Sequence, residues 1–164
     1  MDSVFNFLDL IRLQIEYNYF FSIIIFILFL FVYFSFSLPG NILLMVSAGY
    51  FFGVYIGYLI SIITLVLGSL LFSLFSSFFL KKIFPTLINK YSTKVDQYIS
   101  KSSIEYLIIF RMIPGPPLMF QNLILSLLKI TKIKFIISSF MGFTPLVFVL
   151  AFFGHQLNNF NNLK

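Results

Sequence analysis

The stretch SFSLPGNILLMVSAGYFFG, residues 35–53, decides how this chain folds, because it interrupts an otherwise continuous apolar run. No Asp, Glu, Lys or Arg occurs from Tyr17 to Leu80. One straight helix over that run would measure roughly 96 Å at about 1.5 Å per residue, about three times the ~30 Å hydrocarbon core of a bilayer. The run must therefore cross, turn and cross again, and turn residues occur at 38–41 and 49–53.

Composition assigns the chain to membrane proteins. Hydrophobic residues make up 60% of it and charged residues 10%, against about 25% charged residues in a soluble domain. The apolar runs are continuous and long, which predicts an all-α integral membrane protein. The net charge of +6 comes largely from lysines beside apolar runs, a pattern that fixes membrane orientation, so no nucleic-acid partner is expected.

The residue inventory argues against an enzyme. The chain has one His, no Cys and no acidic residue inside its charge-free run, so it lacks the parts of a nucleophile–base pair or a metal cluster. We expect no catalytic residues, metal or cofactor. A cleaved signal peptide is not expected either, because Asp2, Asp9 and Glu16 outnumber Arg12 in the first 17 residues.

The first half of the chain predicts a broken hairpin. Residues 1–17 have helical periodicity with two faces, typical of an interfacial helix. Residues 18–36 are long enough for one crossing, whereas the apolar piece after Pro39-Gly40 is half that length. This favours a re-entrant hairpin near residues 38–53, with two kinked crossings as the alternative. A full crossing follows from residue 54 to residue 80.

The second half repeats this order. Residues 84–101 form an amphipathic pattern whose lysines would contact anionic headgroups. Residues 104–128 are apolar but cut by Pro114-Gly115-Pro116-Pro117, which predicts a second re-entrant hairpin. Residues 135–154 can cross once, with a kink at Gly142 and Pro145. We expect one membrane domain over residues 18–155 and a flexible tail over 156–164.

The two halves predict an inverted repeat. Leu38-Pro39-Gly40 and Ile113-Pro114-Gly115 are each followed by a short apolar piece and a longer helix with a central glycine, Gly68 or Gly142. If the lysine blocks 81–101 and 129–134 are both cytoplasmic, the two hairpins enter from opposite faces. The predicted fold is therefore all-α, with two opposed, Pro/Gly-broken re-entrant hairpins and an amphipathic interfacial helix between them.

Three groups of residues form a family-like pattern over about residues 38–155: Pro39, Ala48, Gly49, Phe52, Gly53, Gly57 and Gly68; Arg111-Met112-Ile113-Pro114-Gly115-Pro116-Pro117 with Asn122; and Gly142, Pro145 and Gly154. This pattern resembles the SNARE-associated Golgi protein family, the VTT-domain branch of the DedA superfamily.

The resemblance implies a membrane protein with opposed re-entrant hairpins that moves lipids across the bilayer. Eukaryotic members look like phospholipid scramblases, and bacterial relatives are linked to recycling lipid carriers such as undecaprenyl phosphate. Asn41, Ser69 and Pro117 stand where DedA-type members carry acidic residues or a second arginine, which argues against proton-coupled transport. The expected location is a bacterial inner (plasma) membrane.

Arg111 is the sharpest candidate for function. An arginine between Phe110 and Met112 is costly inside a bilayer. It is suited to binding a lipid phosphate bidentately, or alternatively to anchoring at the cytoplasmic edge or bonding the free carbonyls of the broken hairpin. Asn41, Gln121 and Asn122 can bond a headgroup or the broken backbone, and the sequence leaves both open.

The remaining candidate residues are interpreted mainly as structural. Pro39, Gly40, Pro114, Gly115 and Pro117 are predicted backbone breaks. The four-residue spacing of Gly49, Gly53 and Gly57 is typical of close helix packing. The family pattern indicates helix packing for Gly68, Gly142 and Pro145 as well. Ser61, Thr64, Ser69, Ser73 and Ser76 follow helical spacing and either line a headgroup path or bond carbonyls of their own helix.

Two functions follow. The preferred one is lipid translocation, flippase- or scramblase-like, with phospholipid or polyprenyl phosphate as substrate, for membrane homeostasis. The alternative is a non-transporting scaffold subunit that assembles partner membrane proteins. Expected partners are membrane lipids, anionic headgroups at residues 81–101, and a second copy of the chain.

Overall fold

The computed structural model describes residues 13, 15, 17–83, 104–113, 116–127 and 130–161. Within these ranges the chain forms helices and no strand, which confirms the all-helical class. The helices are α1 (Tyr19–Ser35), α2 (Asn41–Phe52), α3 (Val54–Ile83), α4 (Ile104–Met112), α5 (Leu118–Leu127) and α6 (Lys132–Asn161). Most of the predicted interfacial helix 1–17, the amphipathic helix 84–101 and the pair Pro114-Gly115 lie outside the described residues.

Two of the helices are long and apolar enough to cross a membrane, by length and composition. They contain the spans Val54–Phe78, in α3, and Lys132–Phe160, in α6. The other helices are shorter: α1 has 17 residues, α2 has 12, α4 has 9 and α5 has 10. At about 1.5 Å per residue, α2, α4 and α5 are too short to span the ~30 Å hydrocarbon core, whereas α1, roughly 26 Å long, is at the lower limit for a crossing.

The first break follows the Pro-Gly chemistry. Gly40 is the N-cap of α2 and has a φ of +97°, a conformation that glycine adopts at little cost. The hydroxyl of Tyr33 donates to the carbonyl of Pro39, which ties the break back to α1. Ser37 also has a positive φ, +49°, and is the one non-glycine residue that does so in the described part of the chain.

The second break consists of Gly53 alone. Its φ of +79° and ψ of 174° lie in a region that is essentially restricted to glycine. Across this break α2 folds back along α3, since a Cβ on Gly57 would come within 2.6 Å of the Ala48 carbonyl oxygen. A Cβ added at Gly53, in contrast, would meet no atom within 4 Å. The prediction that Gly53 packs against another helix is therefore wrong, because this glycine is needed for its backbone angles.

Most of the other glycines lie where helices touch. An added Cβ on Gly49 would overlap the Ala151 carbonyl, and one on Gly154 would overlap the Val46 carbonyl, so α2 and α6 run antiparallel in close contact. A Cβ on Gly68 would come within 2.7 Å of Phe34, where α3 meets α1. Small residues of this kind let backbones approach closely in membranes.

The packing order relates the two halves of the chain. Helix α1 packs on α3, and α4 packs on α6. Helix α2 packs on α6 as well as on α3, and α5 packs on α3. The long helices α3 and α6 pack on each other, with the core cluster of Leu30, Phe34, Met45, Ile62 and Val147 around them. Large apolar side chains cover the outer surface, with Phe20 82% exposed and Tyr55 78% exposed, as on a surface that contacts lipid.

Helix α6 is longer than the sequence predicts. It runs from residue 132 to residue 161, continuously past Gly142 and Pro145. Residues 156–161, predicted as part of a flexible tail, are therefore helical. The Asn residues there lower helix propensity by less than about 0.7 kcal/mol each, which does not stop a helix already packed against α2.

Candidate functional site

Arg111 lies at the end of α4 and is 2% exposed. Its stem fits against Gly142 of α6, where an added Cβ would overlap Arg111 Cβ. Its Cζ lies 4.8 Å from the ring centroid of Phe135 and 4.9 Å from that of Phe143, both on α6. Aromatic faces attract a guanidinium, most strongly when water is excluded. Helix α6 thus provides both the space and the rings that hold this buried cation.

A chain of hydrogen bonds joins Arg111 to the first break. Arg111 Nη1 donates to Asn122 Oδ1 over 2.7 Å, which links α4 to α5. Asn122 Nδ2 then donates to Ser37 Oγ over 2.9 Å, which links α5 to the segment between α1 and α2. Arg111, Asn122 and Ser37 are each no more than 2% exposed. This Arg111–Asn122–Ser37 network therefore connects both interrupted regions of the chain through buried polar atoms.

The guanidinium retains unused donors. Arg111 Nε and Nη2 are buried without a hydrogen-bond partner. Among the described residues, the guanidinium contacts the Asn122 side chain and the two rings. Unpaired buried donors on a charged group are costly, so an anion bound at this arginine would stabilise it.

Arg111 also lines a cavity of about 220 Å³. Arg111 and Gln121 contribute its buried polar side chains, and Asn41 also lines it. The apolar walls come from Met45, Leu65, Phe143, Leu146 and Val147. The cavity therefore lies where α2, α4, α5 and α6 converge.

The side-chain amide of Gln121 has partners at its nitrogen and none at its oxygen. Its Nε2 donates to the Pro116 carbonyl over 3.3 Å and lies 3.5 Å from the Ile113 carbonyl. Its Oε1 is buried with no partner. Arg111 thus has donors and Gln121 an acceptor without a hydrogen-bond partner, and both residues line the cavity.

Two helix N-termini add to the positive potential. Asn41 and Ile42 open α2, Leu118 opens α5, and all three line the cavity. The N-terminus of a helix carries roughly half a positive charge and binds anions. Broken helices that point such ends at a substrate are a recurring arrangement in transporters.

An apolar groove lies on the other side of α5. Its volume is about 710 Å³, and its lining includes Ser35, Phe36, Phe72, Met119 and Leu123. Ser35 and Phe36 directly precede Ser37, and Leu123 directly follows Asn122. The Arg111–Asn122–Ser37 network therefore runs between the cavity that Arg111 lines and an apolar groove.

The sequence-predicted site residues lie in different parts of the structure. Arg111, Gln121, Asn41 and Pro117 line the cavity, and Asn122 bonds Arg111. Pro39, Gly40, Gly49, Gly53, Gly57 and Gly68 shape the breaks and helix contacts, while Pro145 lies on an exposed face of α6. Sequence reasoning missed Ser37, Phe135 and Phe143. The position of Ser37 beside Leu38-Pro39-Gly40 was a usable signal, whereas two phenylalanines among 25 carry none.

The polar stripe of α3 has mixed roles. Thr64 Oγ1 donates to the Ile60 carbonyl over 2.6 Å, as expected for a hydroxyl that bonds its own helix. Ser61 and Ser69 are buried with free hydroxyls. Ser73 and Ser76 line separate cavities, so the stripe does not form one continuous path.

These features together define a polytopic, all-helical membrane protein with an internal arginine site between broken helices. Residues 38–156 match the VTT domain, and the chain belongs to the VTT-domain family of DedA-type, SNARE-associated Golgi proteins. The resemblance read from the sequence is thereby confirmed.

One curated relative is the Transmembrane protein 41 homolog of Dictyostelium discoideum, 28% identical over 159 residues. The alignment covers 94% of this chain and 47% of the relative, so the chain spans about half the length of the curated relative it matches. No solved structure matches the chain.

Proposed function

We propose that this protein moves lipids between the leaflets of its membrane and that Arg111 holds the lipid phosphate during passage. The observation that carries the proposal is the buried guanidinium with two unused donors on a cavity between broken helices. An arginine fork matches a phosphate bidentately. Family membership supports a role in membrane homeostasis.

The lipid tails have a place beside this site. The apolar groove between α1, α3 and α5 is separated from the cavity that Arg111 and Gln121 line by α5 and the Arg111–Asn122–Ser37 network. A phospholipid needs a polar environment for its headgroup and an apolar one for its chains. We therefore propose that the headgroup enters the cavity while a chain stays in the groove or the surrounding bilayer.

The proposal includes two opposed re-entrant hairpins related as an inverted repeat. Its support is the packing order. The contact of α1 with α3 in the first half corresponds to that of α4 with α6 in the second, and the contact of α2 with α6 corresponds to that of α5 with α3, whereas the contact of α2 with α3 has no comparable counterpart between α5 and α6. Discontinuous helices at the interface between two repeats are characteristic of such transporters. The lysine blocks would be cytoplasmic, and the bacterial inner membrane stays a prediction from the sequence.

The scaffold alternative loses part of its support. The glycine repeat favoured it, because such repeats often join separate helices. Gly49 and Gly57 instead contact Ala151 and Ala48 within the same chain, so these glycines do not form a free surface for a partner.

The experiment is lipid translocation by the purified protein in vesicles, followed through bleaching of a fluorescent phospholipid in the outer leaflet. The wild type should expose inner-leaflet lipid to the bleach, and Arg111→Ala should not. Ile109→Ala, an exposed position of the same helix, is the matched control. Wild-type vesicles that behave like empty ones would refute translocation.

A further inference from the structure

We infer that the cavity recognises a phospholipid that is anionic and carries a headgroup hydroxyl, the phosphatidylglycerol class. The inference rests on the proposed function and names its substrate. Among diacyl phospholipids it ranks those with a zwitterionic headgroup lower.

A ligand that pairs the free polar atoms of Arg111 and Gln121 must both accept and donate hydrogen bonds. Arg111 Nε and Nη2 are donors without partners, and Gln121 Oε1 is an acceptor without one. An ionised phosphodiester supplies only acceptors, so it satisfies Arg111 and leaves Gln121 unpaired. A ligand that satisfies both carries a phosphate together with an O–H or N–H donor.

The free acceptor is fixed by its surroundings. Gln121 Nε2 faces the carbonyls of Pro116 and Ile113, which are acceptors. Turning the amide over would bring Oε1 against these oxygens and lose both contacts. The oxygen therefore stays available, in a side chain that is only 4% exposed.

Charge decides between a hydroxyl and an ammonium. Arg111 is the one charged residue among the described lining residues, and the N-termini of α2 and α5 add positive potential. An ethanolamine ammonium would enter this positive potential, and no carboxylate lies among the described lining residues to balance its charge. A glycerol hydroxyl donates to Gln121 without adding charge, and the single negative charge of the lipid balances Arg111. Choline has neither an N–H nor an O–H, so it can satisfy only the arginine.

Two readouts test the inference. In the first, vesicles of one host composition carry trace acyl-labelled phosphatidylglycerol, phosphatidylethanolamine or phosphatidylcholine, and initial translocation rates are compared. We expect the phosphatidylglycerol rate to exceed the phosphatidylcholine rate about tenfold, which corresponds to about 1.4 kcal/mol, with phosphatidylethanolamine between them. Equal rates for all three would overturn the inference while leaving translocation established.

The second readout is thermal stabilisation of the detergent-solubilised protein by short-chain versions of the same lipids. Phosphatidylglycerol should raise Tm most. This measurement decides the inference even if no lipid is translocated, in which case only the proposed function fails. Stabilisation by inorganic phosphate equal to that by phosphatidylglycerol would overturn the inference, because the hydroxyl and the lipid would then contribute nothing.

Gln121→Glu gives a sharper test, since it keeps an acceptor and adds a negative charge beside the ligand. The ratio of phosphatidylglycerol to phosphatidylethanolamine should fall in this variant, for rates and for Tm shifts, because an ammonium gains a counter-charge. The ratio is measured within one preparation, so differences in folded amount cancel. Gln121→Leu removes the acceptor and should reduce the preference for phosphatidylglycerol over phosphatidylcholine. An unchanged ratio in both variants would overturn the role of Gln121.

Discussion

Gly142 lies directly against Arg111, so that an added Cβ at residue 142 would overlap Arg111 Cβ and come within 3.0 Å of the Ile108 carbonyl oxygen. The arginine occupies the space that a side chain on α6 would fill. The approach of α6 also brings Phe135 and Phe143 to the guanidinium. One glycine thus sets the position of the buried cation.

We therefore expect Gly142→Ala to displace Arg111 and weaken its bond to Asn122. Loss of a hydrogen bond to a charged group costs about 1.5–3 kcal/mol, so translocation should fall at least tenfold. The measurement is the vesicle assay at matched protein level. Met141→Ala, at the adjacent and exposed position, should remain active, and full activity of Gly142→Ala would show that α6 can move away without effect.

The charge of Arg111 can be separated from its shape by Arg111→Lys. Lysine keeps the charge but has no planar fork for a phosphate and no flat face for the two rings. We expect Arg111→Lys to reduce translocation about tenfold or more with normal expression, and Arg111→Ala to reduce it further.

The control for that series is Lys132→Arg, at an exposed residue where only charge is expected to matter. This variant should behave as wild type. If Arg111→Lys were equally active, phosphate clamping would be removed from the mechanism and Arg111 would be only an anchor.

The two classes of glycine should differ in how much an added side chain costs. At Gly53 the cost comes from the backbone angles, about 1–3 kcal/mol, and there is open space around it. Gly53→Ala and Gly53→Leu should therefore destabilise the protein to a similar extent. At Gly49 a single Cβ would already overlap the Ala151 carbonyl, so Gly49→Ala should be more destabilising than Gly53→Ala.

Thermal unfolding in detergent, with the monodisperse fraction, measures both pairs. A large difference between Gly53→Ala and Gly53→Leu would indicate that another surface covers residue 53 in the membrane. A Gly49→Ala variant no less stable than Gly53→Ala would contradict the close contact between α2 and α6.

The fold was largely predictable, because its determinants are local. The charge-free run, Pro39-Gly40 and Gly53 place the breaks between α1, α2 and α3 within two residues of where the structure has them. The end of α6 was missed because its Asn-rich sequence weakens the local signal, while packing on α2 depends on residues about 100 positions away, such as Val46 and Gly154.

The site was predictable in part. Arg111, Gln121 and Asn41 have a chemistry that is unusual in an apolar segment, and the structure brings all three to one cavity. The bond from Asn122 to Ser37 joins residues 85 positions apart, and no local pattern specifies that pairing. Gly53 was assigned to packing because glycine spacing does not distinguish a residue needed for close contact from one needed for its φ angle.

The last prediction concerns orientation. Helix α3 has 30 residues, about 45 Å, so its two ends should lie on opposite sides of the membrane. The five lysines of residues 81–101 should hold the end near Ile83 in the cytoplasm, and Tyr55, 78% exposed at the other end, should face outward.

The native chain has no Cys, so single cysteines report without background. A membrane-impermeant maleimide added to intact cells should label Tyr55→Cys and should label Lys90→Cys only after permeabilisation. Labelling of Lys90→Cys from outside would reverse the orientation and remove the basis for two hairpins that enter from opposite faces.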